Sequence, residues 1–178
     1  MERGRTVYLR PVRKEDMESF YRAVQDDDIR YMTGTRRVFT MDELYDHYER
    51  ITNDGTRYDF AICLQDGDET IGDLSILDID RVNRKAGFRI ALHGRDHFNK
   101  GYGTEAVKLA QQFAFEKLQL NRLQLEVFSH NIRGVKAYEK AGFKKEGTLR
   151  EALYMNGRYS DEIIMGILKK EYDRRKSD

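Results

Sequence analysis

Apolar positions along this 178-residue chain change their spacing several times, and each change marks an element. Residues 6–12, TVYLRPV, read as a short strand that Pro11 ends or confines to an edge. Met17, Phe20, Tyr21 and Val24 then recur at helical spacing behind Lys14, Glu15 and Asp16, which predicts an amphipathic helix over 14–25. Asp26, Asp27 and Asp28 would oppose the dipole if they closed that helix, so they are assigned to a turn. Residues 29–39 carry no clean period and read as a loop with room for one short helical turn. Thr40 and Glu43 form a capping box, and Met41, Leu44, Tyr45 and Tyr48 give the next helix its apolar face to about residue 51.

From Tyr58 the period becomes two. YDFAICLQ, a turn at Asp66-Gly67-Asp68 and ETIGDLSILDID make a hairpin. In AGFRIALH, Ala86, Phe88, Ile90 and Leu92 share one face, and Gly87, Arg89, Ala91 and His93 the other. After a glycine-rich turn, Ala106, Leu109, Ala110, Phe113 and Ala114 stripe a helix that runs to about Leu118, and RLQLEVF (122–128) alternates again. Strand, covering helix and strand make a crossover unit, so these two strands are expected to be parallel neighbours. A short helix from about Asn131 to Lys140 stops at Gly142, and strands over 143–155 and 158–169 flank an Asn156-Gly157 turn. The charged tail EYDRRKSD is expected to fray.

Composition narrows the class. With 39% hydrophobic and 11% aromatic residues the chain is not that of a disordered protein, and its length suits one domain spanning 1–178. Thirty-two basic against 31 acidic residues leave a net charge of +1, which argues against nucleic acid as the main partner. One cysteine, Cys63, rules out an internal disulfide framework and fits a reducing cytoplasm. No apolar leader or run of 18 apolar residues is present, so neither secretion nor a membrane partner is expected.

Candidate chemistry starts at Gly101, Tyr102 and Gly103. Glycines at a helix mouth let backbone approach a ligand, and the unpaired first N–H groups favour an anion; an ordinary strand-to-helix turn would look the same. Cys63, inside a strand without a neighbouring base, reads as a small core hydrophobe. His93, His97 and His130 make no metal-ligand spacing, so no metal is expected and they read as surface or turn residues.

Two segments coincide in order: NKGYGTEA opening a helix, and NIRGVKAYEKAGF about thirty residues later. Together they resemble the GNAT family of N-acetyltransferases. The first is similar to its acyl-CoA pyrophosphate loop, Gln/Arg-x-x-Gly-x-Gly/Ala, and the second to its Asn-x(6)-Tyr-x(3)-Gly-Phe segment. TVYLRPVRKEDM resembles the family's opening, and YMNGRYSDEIIMGIL the closing hairpin of the branch with ribosomal-protein N-terminal and spermidine N-acetyltransferases. Four positions depart from the pattern. Phe98 stands where Gln or Arg is usual, Asn99 where this branch often has glycine, Gly87 where many relatives carry an acid, and Leu153 where a glutamate precedes the tyrosine of the hairpin.

The resemblance implies an α/β fold: a mostly antiparallel mixed sheet of about seven strands, helices on both faces, and two central parallel strands splayed around acyl-CoA. It implies acetyl-CoA as co-substrate. The backbone of Ile90, Ala91 and Leu92 would pair with the pantetheine arm. Phe98, Asn99, Lys100, Gly101, Tyr102, Gly103 and Thr104 would surround the pyrophosphate, with Lys136 or Arg95 adding charge. Asn131 and Tyr138, seven apart, face the same way about 10 Å apart on one helix. They would contact the pantetheine and sulfur, with Tyr138 as proton donor to the thiolate. Without the glycine loop, Asn131 reads as a helix N-cap and Tyr138 as a core aromatic. Glu126, Glu151 and Asp73 are candidates for the base. The implied acceptor is an amine, a protein N-terminus or a polyamine; the acidic run at 26–28 favours a cation. A non-catalytic acyl-CoA sensor is the alternative, and the last hairpin offers an edge for a homo-oligomer.

Overall fold

The computed structural model describes residues 2–177. Its strands are β1 (Glu2–Arg3), β2 (Val7–Pro11), β3 (Tyr58–Leu64), β4 (Thr70–Asp80), β5 (Lys85–Leu92), β6 (Arg122–Phe128), β7 (Lys144–Met155) and β8 (Arg158–Leu168). Its helices are α1 (Met17–Gln25), α2 (Asp27–Thr33), α3 (Met41–Thr52), α4 (Tyr102–Gln112), α5 (Ile132–Lys140) and α6 (Lys169–Ser177). The strands form one sheet in the order β1-β2-β3-β4-β5-β6-β8-β7. The two-residue β1 adds to the seven strands read from the sequence.

Every neighbouring pair is antiparallel except β5 and β6, the pair joined through α4. Their parallel register covers only Lys85↔Arg122, Ala86↔Leu123 and Gly87↔Gln124, although both strands continue. On its other edge β5 stays paired with β4 as far as Gly72↔Leu92. The outer half of β5 therefore has one edge bonded and one facing a gap, which opens the sheet at its centre.

Burial explains why these elements hold. Ala86 and Phe88 on one face of β5 pack with Ala106, Val107, Leu109 and Ala110 of α4 in the main core. Fully burying a side chain the size of Leu or Phe is worth about 1.5–3 kcal/mol, so this face anchors the fold. A smaller cluster of Val12, Met17 and Leu44 joins α1 to α3 across the other face. With fewer buried groups, that wall is the more easily opened part of the molecule.

Two local expectations are corrected. Asp26, Asp27 and Asp28 do not make a turn: Asp26 caps α2, its Oδ1 accepting from the N–H groups of Asp28 (2.9 Å) and Ile29 (3.1 Å). Acids misplaced at the end of one helix are well placed at the start of another, so the dipole favours a break at Asp26. The helix ends at Gly34, whose φ of 69° lies in the left-handed region and where a Cβ would stand 2.4 Å from Phe128 Cε2. The tail does not fray through Ser177. It forms α6, tied down where Arg175 Nη2 donates to the Lys140 carbonyl (2.6 Å) and Tyr172 packs against Phe115; Asp178 lies outside the described residues. The helix reaches Lys117 as expected from the sequence, its last turn from Phe113 being π-helical, with Leu118 N–H donating to the Phe113 carbonyl (3.0 Å). Among the described residues no helix is long and apolar enough to cross a membrane.

Candidate active site

His93 N–H donates to the Ile71 carbonyl (2.8 Å), so strand alternation turns the peptide groups of Leu92 and Ile90 toward the gap. That edge of β5 can take an extended chain with amide groups. The loop after it brings up an anion site. Asn99 (φ 59°) and Gly101 (φ 82°) turn the backbone, and Asn is among the non-glycine residues that tolerate the left-handed conformation. Gly101 starts α4 with no side-chain cap, which leaves the first amides of the helix free for a ligand. The one acid in that first turn, Glu105, reaches away: it accepts from Thr6 N–H (2.9 Å) and Thr6 Oγ1 (2.6 Å).

These elements line a cavity of about 640 Å³, with Ile90, Ala91, Leu92, Phe98, Asn99, Gly101, Tyr102, Gly103, Thr104, Asn131, Lys136 and Tyr138 in its wall. Lys100 is in the same loop but does not line it. Arg95 is engaged elsewhere, by Asp26 (3.2 Å) and Asp28 (2.7 Å). Sequence reasoning missed Arg133, whose guanidinium lies 3.5 Å from the Phe98 ring centroid. Burial holds its pKa below the usual arginine value, and no acid within the described residues pairs with it. A cation stacked on Phe98 supplies positive charge beside the loop.

A second cavity, about 650 Å³, shares Ile90, Ala91, Asn131 and Tyr138 with the first, and reaches across the opposite face of the sheet to α1 and α3. Asn131 caps α5, its Oδ1 accepting from Gly134 N–H (3.0 Å). A Cβ at Gly134 would come 2.6 Å from Asn131 Nδ2, so any larger residue there would shift the capping side chain. Tyr138 is buried in the main core with 7% exposure, yet its hydroxyl makes no hydrogen bond to the described residues. Burial pushes its pKa up to about 12, and the positive charge of Arg89 works in the opposite direction.

The candidate bases separate. Glu126 lines the second cavity and accepts from Gln124 Nε2 (3.2 Å). Glu151 lines neither cavity; it sits at φ 51° where the β7–β8 register breaks, its N–H donating to Asp161 Oδ1 (2.9 Å). Asp73 is in the second cavity's floor but fully engaged. It accepts from Arg89 Nη1 on Oδ2, and its Oδ1 lies 2.7 Å from His93 Nε2. Burial alone would raise its pKa; the Arg89 charge and the His93 hydrogen bond outweigh it and hold the carboxyl well below the usual carboxylate range. His93 Nδ1 lies 2.7 Å from Ser19 Oγ of α1, which ties the wall to the floor.

His93 is thus corrected from a surface or turn residue to a packed one, while His130 lies in a turn as read, with its ring packed. His93 has 5% side-chain exposure, and His130 stacks on Tyr31 at 4.0 Å with both ring nitrogens bonded. His97 lines the first cavity. At Gly87 a Cβ would meet only ordinary contacts, Leu77 O at 3.5 Å and Asp78 Oδ2 at 3.9 Å, so the missing acid there is not a steric necessity. Cys63 is buried and its thiol pKa is pushed up by burial, as an inert core residue requires. Among the described residues no cluster of three or more His, Cys, Asp or Glu has a metal-holding arrangement.

The family model described as acetyltransferase (GNAT) domain matches residues 6–144. The chain is 30% identical to a probable N-acetyltransferase of Bacillus subtilis (strain 168), over 94% of this chain and 97% of that protein. It is also 30% identical to the spermidine N(1)-acetyltransferase of Escherichia coli (strain K12), over 97% of this chain and 91% of that protein. The crystal structure of spermidine N-acetyltransferase from Vibrio cholerae in complex with CoA and spermine superposes with a TM-score of 0.86 at 27% identity, covering 93% of this chain and 97% of that one. A split parallel pair, an uncapped glycine-opened helix and an Asn/Tyr helix facing both cavities are joined here by whole-chain similarity, and the chain belongs to the GNAT acetyltransferase family.

Proposed function

We propose that the protein transfers an acetyl group from acetyl-CoA to an amine by direct attack. One observation carries this most: the two cavities meet at Tyr138, a phenol otherwise buried whose hydroxyl has no partner among the described residues. In this reading the first cavity takes the acyl-CoA. The amides that open α4, with Arg133 and Lys136, face its pyrophosphate, and the gap edge of β5 pairs with the pantetheine arm. A peptide N–H of Ile90 or Leu92 polarises the thioester carbonyl. The amine enters from the second cavity, attacks the carbonyl carbon, and the C–S bond breaks with its electron pair on sulfur. Tyr138 gives its proton to that sulfur; Glu126 or water takes the proton lost by the amine.

For the acceptor, the lining of the second cavity favours an α-amine of a peptide or small molecule. Arg30, Arg37, Arg50, Arg57 and Arg89 line it against Glu43, Asp46, Asp73 and Glu126, and Glu43 and Asp73 are already paired with Arg37 and Arg89, so the wall has no acidic excess to hold a polycation. An α-amine, with a pKa of about 8, also keeps roughly a tenth of its population neutral at pH 7 without a dedicated base, far more than an alkyl amine with a pKa near that of lysine, about 10.4. A polyamine is the second reading. It is supported by the spermidine N-acetyltransferases among the relatives and by Asp46 and Glu126 in the same lining.

The test is CoA thiol release from acetyl-CoA over polyamines, amino acids, aminoglycosides and N-terminal peptides. Release with an α-amine peptide supports the first reading, and release with spermidine alone the second. Tight acetyl-CoA binding with no release over the whole panel would favour a sensor instead of an enzyme.

A further inference from the structure

The acceptor cavity has a polar floor that the mechanism above does not use. Arg89 projects into it from β5, one residue before the strand segment that faces the acyl-CoA. Its Nη1 is fixed twice, to Asp73 Oδ2 and to Ser75 Oγ (3.1 Å). Both anchors are themselves held. Asp73, 3% exposed, is clamped by His93, and Ser75 Oγ donates to Asp59 Oδ1 (2.6 Å), which Arg57 grips with two bonds of 2.7 Å. Nε and Nη2 of Arg89 make no hydrogen bond to the described residues, and its side chain is 45% exposed toward the cavity. So a network of held groups fixes one guanidinium in the wall of the cavity that Tyr138 also lines.

We propose that Arg89, fixed by Asp73 and Ser75, is the positioning residue for acid catalysis: its charge stabilises Tyr138 as the phenolate left when the phenol has given its proton to the departing sulfur. This rests on the acyl-transfer reading with Tyr138 as acid. The need for such a group follows from the chemistry. Burial makes Tyr138 a reluctant acid, and a reluctant acid slows C–S cleavage unless the anion it becomes is met by a fixed positive charge. The phenolate then regains a proton from solvent, which has received the one released by the amine, so protons balance over a turnover. The mutual influence of Arg89 and Tyr138 on each other's proton affinity is in the direction this requires.

A double-mutant cycle tests the coupling. Single-turnover acetyl transfer from saturating acetyl-CoA is measured with spermidine and with an alanyl peptide amide, using the faster acceptor. The wild type is compared with Arg89→Gln, Tyr138→Phe and the double variant. Arg89→Gln is expected to slow transfer about tenfold or more in the wild type and less than about twofold in the Tyr138→Phe background, with the Kd for acetyl-CoA unchanged. Arg89→Lys keeps a charge beside Asp73 and guards against misfolding; it is expected to retain more activity than Arg89→Gln, again only when Tyr138 is present. Equal, additive losses in both backgrounds would overturn the role of Arg89 while leaving Tyr138 as acid. A Tyr138→Phe enzyme as fast as wild type would overturn the acid itself.

Discussion

The pH dependence of the reaction is set by Tyr138 and the attacking amine. With Tyr138 held at about 12 by burial, the phenol keeps its proton throughout the neutral range. The attacking amine must lose one. The rate is therefore expected to rise as pH climbs through the pKa of the acceptor and then to level off, with no falling limb before about pH 10; a pH series of kcat/KM reads this directly. Asp73 bears on stability. Its folded pKa lies below the unfolded value, so its contribution is fully present above about pH 4 and is lost as pH falls through the folded value. Asp73→Asn, which leaves Arg89 and His93 without their anion, is expected to cost about 3–5 kcal/mol at neutral pH, measured by urea unfolding, with the difference from wild type shrinking in acid. That Asn131 and Tyr138 face the same way was legible in the sequence because their spacing is fixed by 3.6 residues per turn, while their choice as site residues came from the family resemblance. The Asp73–His93–Arg89 network was not legible, because it depends on strand register, here Asp73↔Ala91 and Ser75↔Arg89, which local pattern does not specify.

Among the elements, the glycine loop and α4 make the cofactor site. Gly101 at φ 82° is where the turn requires glycine, since no side chain nearby would obstruct a Cβ and only the backbone conformation objects. Gly101→Val is expected to weaken acetyl-CoA binding tenfold or more, read by calorimetry, because a β-branched residue there re-aims the first amides of α4. Most elements followed from periodicity: the capping box at Thr40 and Glu43 appears as read, with bonds of 3.0 and 3.2 Å. Where reading failed, a single residue decided between two lawful structures. The aspartates at 26–28 obey the dipole rule either as a turn or as the start of α2, and the choice is made by tertiary packing of Ile29, buried against its surroundings, which a one-dimensional pattern does not contain. The tail was misread for a similar reason. Its composition is almost wholly polar, and Tyr172, which packs onto the main core, supplies the anchor.

At the scale of the whole molecule, the parallel pair that splits after Gly87 and Gln124 divides one sheet into two walls with a cavity on each side of the junction. The crossover through α4 was readable from strand, helix and strand in sequence; the splay was supplied by family resemblance, since nothing in the period of β5 or β6 records where their pairing stops. A ligand that bridges the split is expected to stabilise the fold by mass action. At a hundred times its Kd, acetyl-CoA contributes about 2.7 kcal/mol, a rise in Tm of about 5–10 °C for a chain of this size, read by differential scanning calorimetry.

The central claim is that Tyr138 completes a transfer reaction between these two cavities. It is tested most directly by CoA thiol release at saturating acetyl-CoA and acceptor, wild type against Tyr138→Phe, with acetyl-CoA affinity measured alongside. The account predicts turnover lower by about 10²-fold or more with the Kd unchanged; equal turnover in the two proteins would contradict it.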